Sequence, residues 1–315
     1  MIIICYNHPE EEIEMDLEKL ESFVMLAQVK NFTEAAENLY ISQPALSKRI
    51  KNLEDELKVP LFNRIGKRTF LTSEGEYFLK YARSAIANHN LLLEHISQIR
   101  NLEKGILRFG ATNFIGIYIM PQIIAEFTKQ YPHIDIKMTI NSSKNIIAML
   151  ENNELEFVFL SNYVLDENSG FISKKLTQDK LQFVVSKDHE LAQQSLCDID
   201  EIRKYKYITK GVKSSQTVFL NEILKARGIE FSNQLIINNQ EAIKEAVCRS
   251  IGFSIISEKA LTREIESGVL KTLAVKGVEF ARNIHCVFIK DSFLTPAARR
   301  FLEIAEEIYG EGADM

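Results

Sequence analysis

Apolar residues recur at helical steps through the first hundred positions, then give way to short apolar runs alternating with amphipathic stretches. That change of period predicts a helical N-terminal region joined to a region of alternating strands and helices. Leu20, Phe23, Val24, Leu26 and Ala27 give one face of a helix over residues 17 to 29. Ala35, Ala36 and Leu39 make a second short face, and Leu46, Ile50, Leu53 and Leu57 follow at steps of four, three and four. Two helices therefore pack across a tight turn at Tyr40 and Ile41. Ser42 stands at the N-cap of the later helix, with Pro44 in its first turn, where a missing N–H costs little. A short extended segment carrying Arg64, Lys67 and Arg68 comes next.

From Thr72 or Ser73 a long helix runs to about residue 101, with Ser73 and Glu76 at capping-box spacing. Phe78, Ala82, Ala85, His89, Leu92, Ile96 and Ile99 recur in alternating steps of four and three. Such a stripe reads as a coiled-coil seam and hence a homodimer contact, or as a face packed on its own domain. Glu103 to Gly105 break the helix. Beyond it, strands at residues 106 to 110, 134 to 140 and 155 to 160 alternate with helices at 122 to 130 and 144 to 152. Further strands are predicted at 181 to 185, 206 to 209, 234 to 238, 253 to 256 and 285 to 289, with a closing helix from Pro296 to about Tyr309. This alternation implies a parallel sheet covered on both faces.

Length, charge and chemistry narrow the picture. At 315 residues the chain accommodates about two domains of roughly 150 residues, and its 46% hydrophobic content excludes general disorder. Net charge is −5, yet residues 42 to 72 hold seven Lys or Arg against three acidic residues. The positive charge is local, as a nucleic-acid footprint requires, although a solvated helix face gives the same count. The outward face there carries Gln43, Ser47, Lys48, Arg49 and Lys51, an amide, a hydroxyl and cations of the kind that reach base edges and phosphates from a helix in the major groove. The four cysteines, Cys5, Cys197, Cys248 and Cys286, lack C-x-x-C spacing, and no histidine pair has metal-ligand spacing. No bound metal or other cofactor is expected, and a reduced cytoplasmic protein fits. No apolar run approaches the ~20 residues of a membrane span. Residues 1 to 14 carry four acidic residues and no Lys or Arg, and are expected to be a non-native or disordered extension, with translation beginning at Met15. No G-K-[ST] phosphate loop, G-x-S-x-G or H-E-x-x-H motif supports catalysis, so an enzyme or plain solute-binding module is the weaker alternative.

The run FTEAAENLYISQPALSKRIKNLE over 32 to 54, then LFNR at 61 to 64 and LTSEG at 71 to 75, resembles the LysR-type transcriptional regulators nearly position by position. GATNFIGIYIMP at 110 to 121, FTKQYP at 127 to 132 and LEFVF at 155 to 159 extend the resemblance into the second half. It implies an α plus α/β architecture. The parts would be a winged helix-turn-helix at 15 to 72, a linker and dimerisation helix at 73 to 104, and an effector-binding domain at 105 to 315 folded like the periplasmic solute-binding proteins. The lobes would comprise 105 to 178 with 282 to 310, and 179 to 281. The DNA-facing positions would be Ser42, Gln43, Pro44, Ser47, Lys48 and Arg49, with Thr33 near a phosphate and Arg64 in the wing. Partners implied are promoter DNA, a second copy and a tetramer, RNA polymerase, and a small-molecule effector. Loops entering helix N-termini favour anions, which points to Thr112, Asn113, Phe114, Ser142 and Ser143 in one lobe and Thr209, Ser214, Ser215, Gln216 and Asn239 in the other. The same hydroxyls and amides also read as helix caps. Phe114 replaces a small hydroxyl residue common in relatives, and Gln216 and Thr217 replace a frequent Thr-Arg pair, so a small anion and a partly apolar or aromatic ligand both stay open. A regulator without ligand response is the remaining alternative.

Overall fold

A computed structural model describes residues 16 to 310 except 66, 67, 101 to 103, 162 to 169, 195 and 213; side chains of 64, 65 and 97 to 100 lie outside the description as well. The expected N-terminal extension and Lys67 therefore fall outside the described residues, as do the side chains of Arg64 and Ile99.

The N-terminal unit begins with α1 (Leu17–Val29), α2 (Phe32–Asn38) and α3 (Gln43–Leu57). Each start is capped by a side chain: Asp16, Asn31 and Ser42 accept backbone N–H groups of the first turns, satisfying donors that a helix leaves orphaned. Leu20, Phe23, Leu26, Ala35, Ala36, Leu46, Ile50 and Leu53 form one dry core. Tyr40, in the turn between α2 and α3, adopts φ 55° and is 96% exposed. β1 (Phe62–Ile65) and β2 (Arg68–Leu71) pair as an antiparallel hairpin, the wing, which is anchored at its base. Glu54 Oε1 accepts the N–H groups of Leu61 at 2.7 Å and Phe62 at 3.0 Å, and Thr69 N–H donates to the Lys30 carbonyl. α4 (Ser73–Arg100) follows.

In the C-terminal unit β3 (Gly105–Ala111), α5 (Asn113–Tyr118), α6 (Met120–Gln130), β4 (Ile134–Ile140), α7 (Ser143–Glu151) and β5 (Phe157–Ser161) come first. β6 (Phe171–Ser186), α8 (Ile199–Ile202), β7 (Tyr207–Thr209), α9 (Ser215–Ala226), β8 (Gln234–Ile236) and α10 (Gln240–Cys248) continue. β9 (Ser254–Ser257), α11 (Glu258–Glu266), β10 (Leu270–Leu273), β11 (Phe280–Ile289) and α12 (Pro296–Tyr309) complete it. The main sheet runs β10-β6-β11-β5-β3-β4, with β9 also on β6, and β7 and β8 form a separate pair.

The sheet is not the parallel one predicted from alternation. β3 pairs in parallel with β4 and β5, but β6 pairs antiparallel with β9, β10 and β11. The cause is β6, sixteen residues long. Its first ten residues contain Lys174, Lys175, Gln178 and Lys180, so only residues 181 to 185 carry the apolar signature of a buried strand. β6 and β11 run side by side through both halves of the unit: the late segment of β11 lies between β5 and the early segment of β6, while β6 beyond Leu181 meets β9 and β10. One core gathers around Phe109, Phe127, Phe157 and Phe301, and a second around Phe183, Tyr207, Phe231 and Phe253. These are the two lobes.

Candidate nucleic-acid interface and effector cleft

On α3 the buried Leu46, Ile50 and Leu53 fix which side chains face water. Ser42, Gln43, Pro44, Lys48 and Lys51 are exposed and Ser47 is half-buried; among the described residues no side-chain hydrogen bond or ion pair holds Gln43, Lys48 or Lys51. Ser42 spends its hydroxyl on the Ala45 N–H at 3.3 Å, so it shapes the helix start. Thr33 and Arg68 are exposed on α2 and the wing.

Arg49 is engaged within its own domain. Its guanidinium bonds to Glu18 and, at 3.3 Å, to the buried Ser22 hydroxyl, both on α1. At about 100° per residue, Arg49 lies well over a quarter turn from Ser47 and Lys51, on the side where α1 packs. It ties α3 to α1. The stripe on α4 also divides. Phe78 and Ala82 are in the core of their own domain and Ala85 packs against it, whereas His89, Leu92 and Ile96 are exposed, Leu92 by 56%. The start of the stripe therefore packs at home because α1 lies against it through Phe23 and Phe78, whose rings meet at 4.9 Å.

In the C-terminal unit several expected ligand groups are occupied as caps. Ser142 Oγ accepts the Asn145 N–H and Asn239 Oδ1 the Ala242 N–H, while Gln216 Nε2 donates to the Ile255 carbonyl at 3.2 Å. Thr112 and Ser214 stand at the N-caps of α5 and α9 without side-chain cap bonds. Asn113 and Ser215 are placed at the first positions of those helices, Ser143 is half-buried, and Thr209 is buried. Phe114 is buried too, its ring 4.5 Å from the Arg282 guanidinium carbon. That guanidinium donates from Nε to Asp179 Oδ2 at 2.8 Å, and Asp179 Oδ1 accepts the Ser257 hydroxyl at 2.6 Å. Asp179 and Arg282 are register partners on β6 and β11, where these strands pass between the lobes. Burial pushes the Asp179 carboxyl up from its ordinary value, opposed by Arg282 and Ser257.

Tyr118, the last residue of α5, donates its hydroxyl to Glu241 of α10, and Lys244 of the same helix lies 5.4 Å from the Tyr118 ring centroid. Lys244 is itself held by Glu241 at 2.9 Å and Glu264 at 2.7 Å. Burial and the Glu241 contact raise the Tyr118 phenol to about 12. Sequence reasoning misses Arg282, Asp179, Tyr118 and Lys244. Each is an isolated polar residue, and only strand register and the apposition of the lobes bring them together. Among the described residues no cluster of His, Cys, Asp or Glu could hold a metal ion, and no helix is long and apolar enough to cross a membrane.

Comparison with known proteins agrees with this architecture. A "Probable RuBisCO transcriptional regulator" from Phaeodactylum tricornutum is 30% identical over 94% of this chain and 97% of its own length. Its namesake from Cyanophora paradoxa is 28% identical over 93% and 92%. Among solved structures, a full-length OxyR variant from Pseudomonas aeruginosa matches with a TM-score of 0.70 at 21% identity, covering 95% of this chain and 98% of that one. CbnR complexed with its target DNA matches with a TM-score of 0.68 at 20% identity, covering 93% and 99%. The family model for the bacterial regulatory helix-turn-helix protein of the lysR family covers residues 17 to 76, and that for the LysR substrate binding domain covers 100 to 309. With both models matched in this order, the chain belongs to the LysR family of transcriptional regulators.

Proposed function

We propose that this regulator grips double-stranded promoter DNA through the open face of α3 and the wing, and that a small molecule in the cleft between the lobes alters that grip. The observation that carries the reading is the α3 face itself. Gln43, Ser47, Lys48 and Lys51 stand together, unspent on their own domain, beside a hairpin segment whose sequence carries Arg64, Lys67 and Arg68. Thr33 and the capped start at Ser42 and Pro44 set the approach to the backbone. The working division is a DNA-binding domain over 15 to 72, a linker helix over 73 to 104 and an effector domain over 105 to 315. Its lobes are 105 to 178 with 282 to 310, and 179 to 281. Dimers form along α4 through His89, Leu92 and Ile96, which are exposed and would otherwise stay wet, and through Ile99, which continues the stripe in the sequence. Tetramers form through the effector domains, and RNA polymerase is the partner downstream, in the cytoplasm.

Fluorescence anisotropy against DNA from the region upstream of its own gene, titrated in salt with nonspecific competitor, tests the reading. Competitor-resistant binding is expected. Ser47→Ala weakens it about tenfold, within the range of about 1–3 kcal/mol for a base contact. Lys48→Ala lowers the salt slope by about one unit. Wild-type affinity in both variants would defeat the assignment of α3 as the reading helix.

A further inference from the structure

Two cations in the effector cleft have more N–H groups than their surroundings accept. Arg282 is 3% exposed; its Nε is spent on Asp179, and its Nη2 is buried with no hydrogen-bond partner among the described residues. Phe114 covers the guanidinium on one face. Lys210, directly after β7, is half-buried, and among the described residues its ammonium forms no hydrogen bond or ion pair. The carboxylates nearby are already engaged. Asp179 holds Arg282 and Ser257, and Glu241 holds Tyr118 and Lys244. Burial, and then the charge of Arg282, hold the Lys210 ammonium down at about 8, with Glu241 opposing. An under-coordinated pair of desolvated cations is what an anion would satisfy.

We propose that Lys210 and Arg282 are the anion-recognising subsite of the cleft, taking the carboxylate or phosphate group of a small metabolite. The three elements that supply the subsite come from different parts of the unit: Phe114 from α5 in one lobe, Lys210 from the end of β7 in the other, Arg282 from a strand common to both. An anion there joins the lobes through charge, and it reaches the buried Nη2 when they part about β6 and β11. This assignment rests on the effector reading above and adds its chemistry.

The test is thermal unfolding of the full chain at pH 7 in chloride-free buffer, titrated separately with inorganic phosphate and with succinate. At least one is expected to raise the melting temperature saturably, as a ligand specific to the folded state does, and which one does so distinguishes phosphate from carboxylate recognition. Lys210→Met abolishes the shift, Lys210→Arg keeps it, and Arg282→Lys weakens apparent affinity at least tenfold while retaining a charge for Asp179. Above pH ~8, wild-type affinity falls about tenfold per unit as Lys210 deprotonates, and Lys210→Arg shows no such fall. The groups acting on Lys210 from packed elements are Arg282 of β11 and Glu241 of α10, and neither loses its charge in that range. Equal stabilisation of wild type and Lys210→Met, or none by either anion, overturns the proposal. If a neutral metabolite shifts operator affinity while neither anion stabilises, the effector reading stands without this subsite; if nothing in a metabolite panel does either, both fall.

Discussion

Glu54 decides where the wing begins. One carboxylate oxygen takes two consecutive backbone N–H groups, at Leu61 and Phe62, which lie just ahead of and at the start of β1. Glu54→Ala leaves both donors unpaired at a partly buried site and should cost about 2 kcal/mol, measured by urea unfolding. Glu54→Gln keeps one acceptor and should lose less; equal losses would show that the charge, and not the acceptor, anchors the wing. Arg49 illustrates what a sequence hides at this scale. Its neighbours Lys48 and Lys51 look equivalent to it in a list of cations, and only the angle around α3, set by Leu46, Ile50 and Leu53, turns it towards Glu18 and Ser22. Arg49→Ala should therefore lower stability by about 1 kcal/mol, read from thermal melts without DNA, and weaken DNA binding only through the tilt of α3.

Elements are legible where one period runs uninterrupted. The caps at Ser42 and Thr72, the helix α3, the wing and α12 all carry local signals that tertiary contacts reinforce; of the two candidates for the start of α4 it is Thr72, and not Ser73, whose hydroxyl caps the helix. β6 is half invisible because residues 171 to 180 are mostly exposed or half-buried and are held as a strand by pairing with β11, a partner about a hundred residues away. α5 reads as a loop, since its six residues are too short to show a helical face. The junction of wing and linker offers a sharp test. Gly75 lies in the first turn of α4, its N–H accepted by Thr72 Oγ1 at 2.9 Å. A Cβ at this position would stand 2.1 Å from the Leu61 carbonyl oxygen. Gly75→Ala should destabilise the N-terminal unit by about 1–3 kcal/mol, despite the higher helix propensity of alanine. A neutral or stabilising outcome in chemical denaturation would mean that α4 can pivot away from the wing.

For the molecule as a whole, two neutral histidines set an acid limit. His189, buried, accepts the Leu191 N–H at Nδ1 and meets the Tyr205 ring edge-on at 4.5 Å. Burial holds it below the ordinary 6.5, with Glu190 opposing. His285, hydrogen-bonded to Ser173 at 2.9 Å, is lowered by burial and then by Lys175. A folded-state pKa below the unfolded one means that the unfolded chain binds more protons below about 6.5, so the stabilisation is complete above that pH and lost as pH falls through the folded values. The melting temperature should decline below about pH 6.5, and His189→Gln should flatten the decline. Family, order of domains and the lack of catalytic motifs are readable from the chain. The cleft is not, because its residues are scattered from Phe114 to Arg282 and only the paired crossing of β6 and β11 assembles them.

That crossing also imposes an order of events on synthesis. The helical N-terminal core is complete by Ala82 and can close as soon as that stretch leaves the ribosome. The first lobe cannot follow suit. Phe301 of α12 packs on Phe109 at 4.8 Å, Phe127 at 5.4 Å and Phe157 at 5.9 Å, so a nascent chain carries those rings unshielded until its last helix emerges. The regulator thus acquires its DNA-reading surface early and its sensing lobe last, and a message truncated before residue 296 yields an aggregation-prone reader with no working sensor.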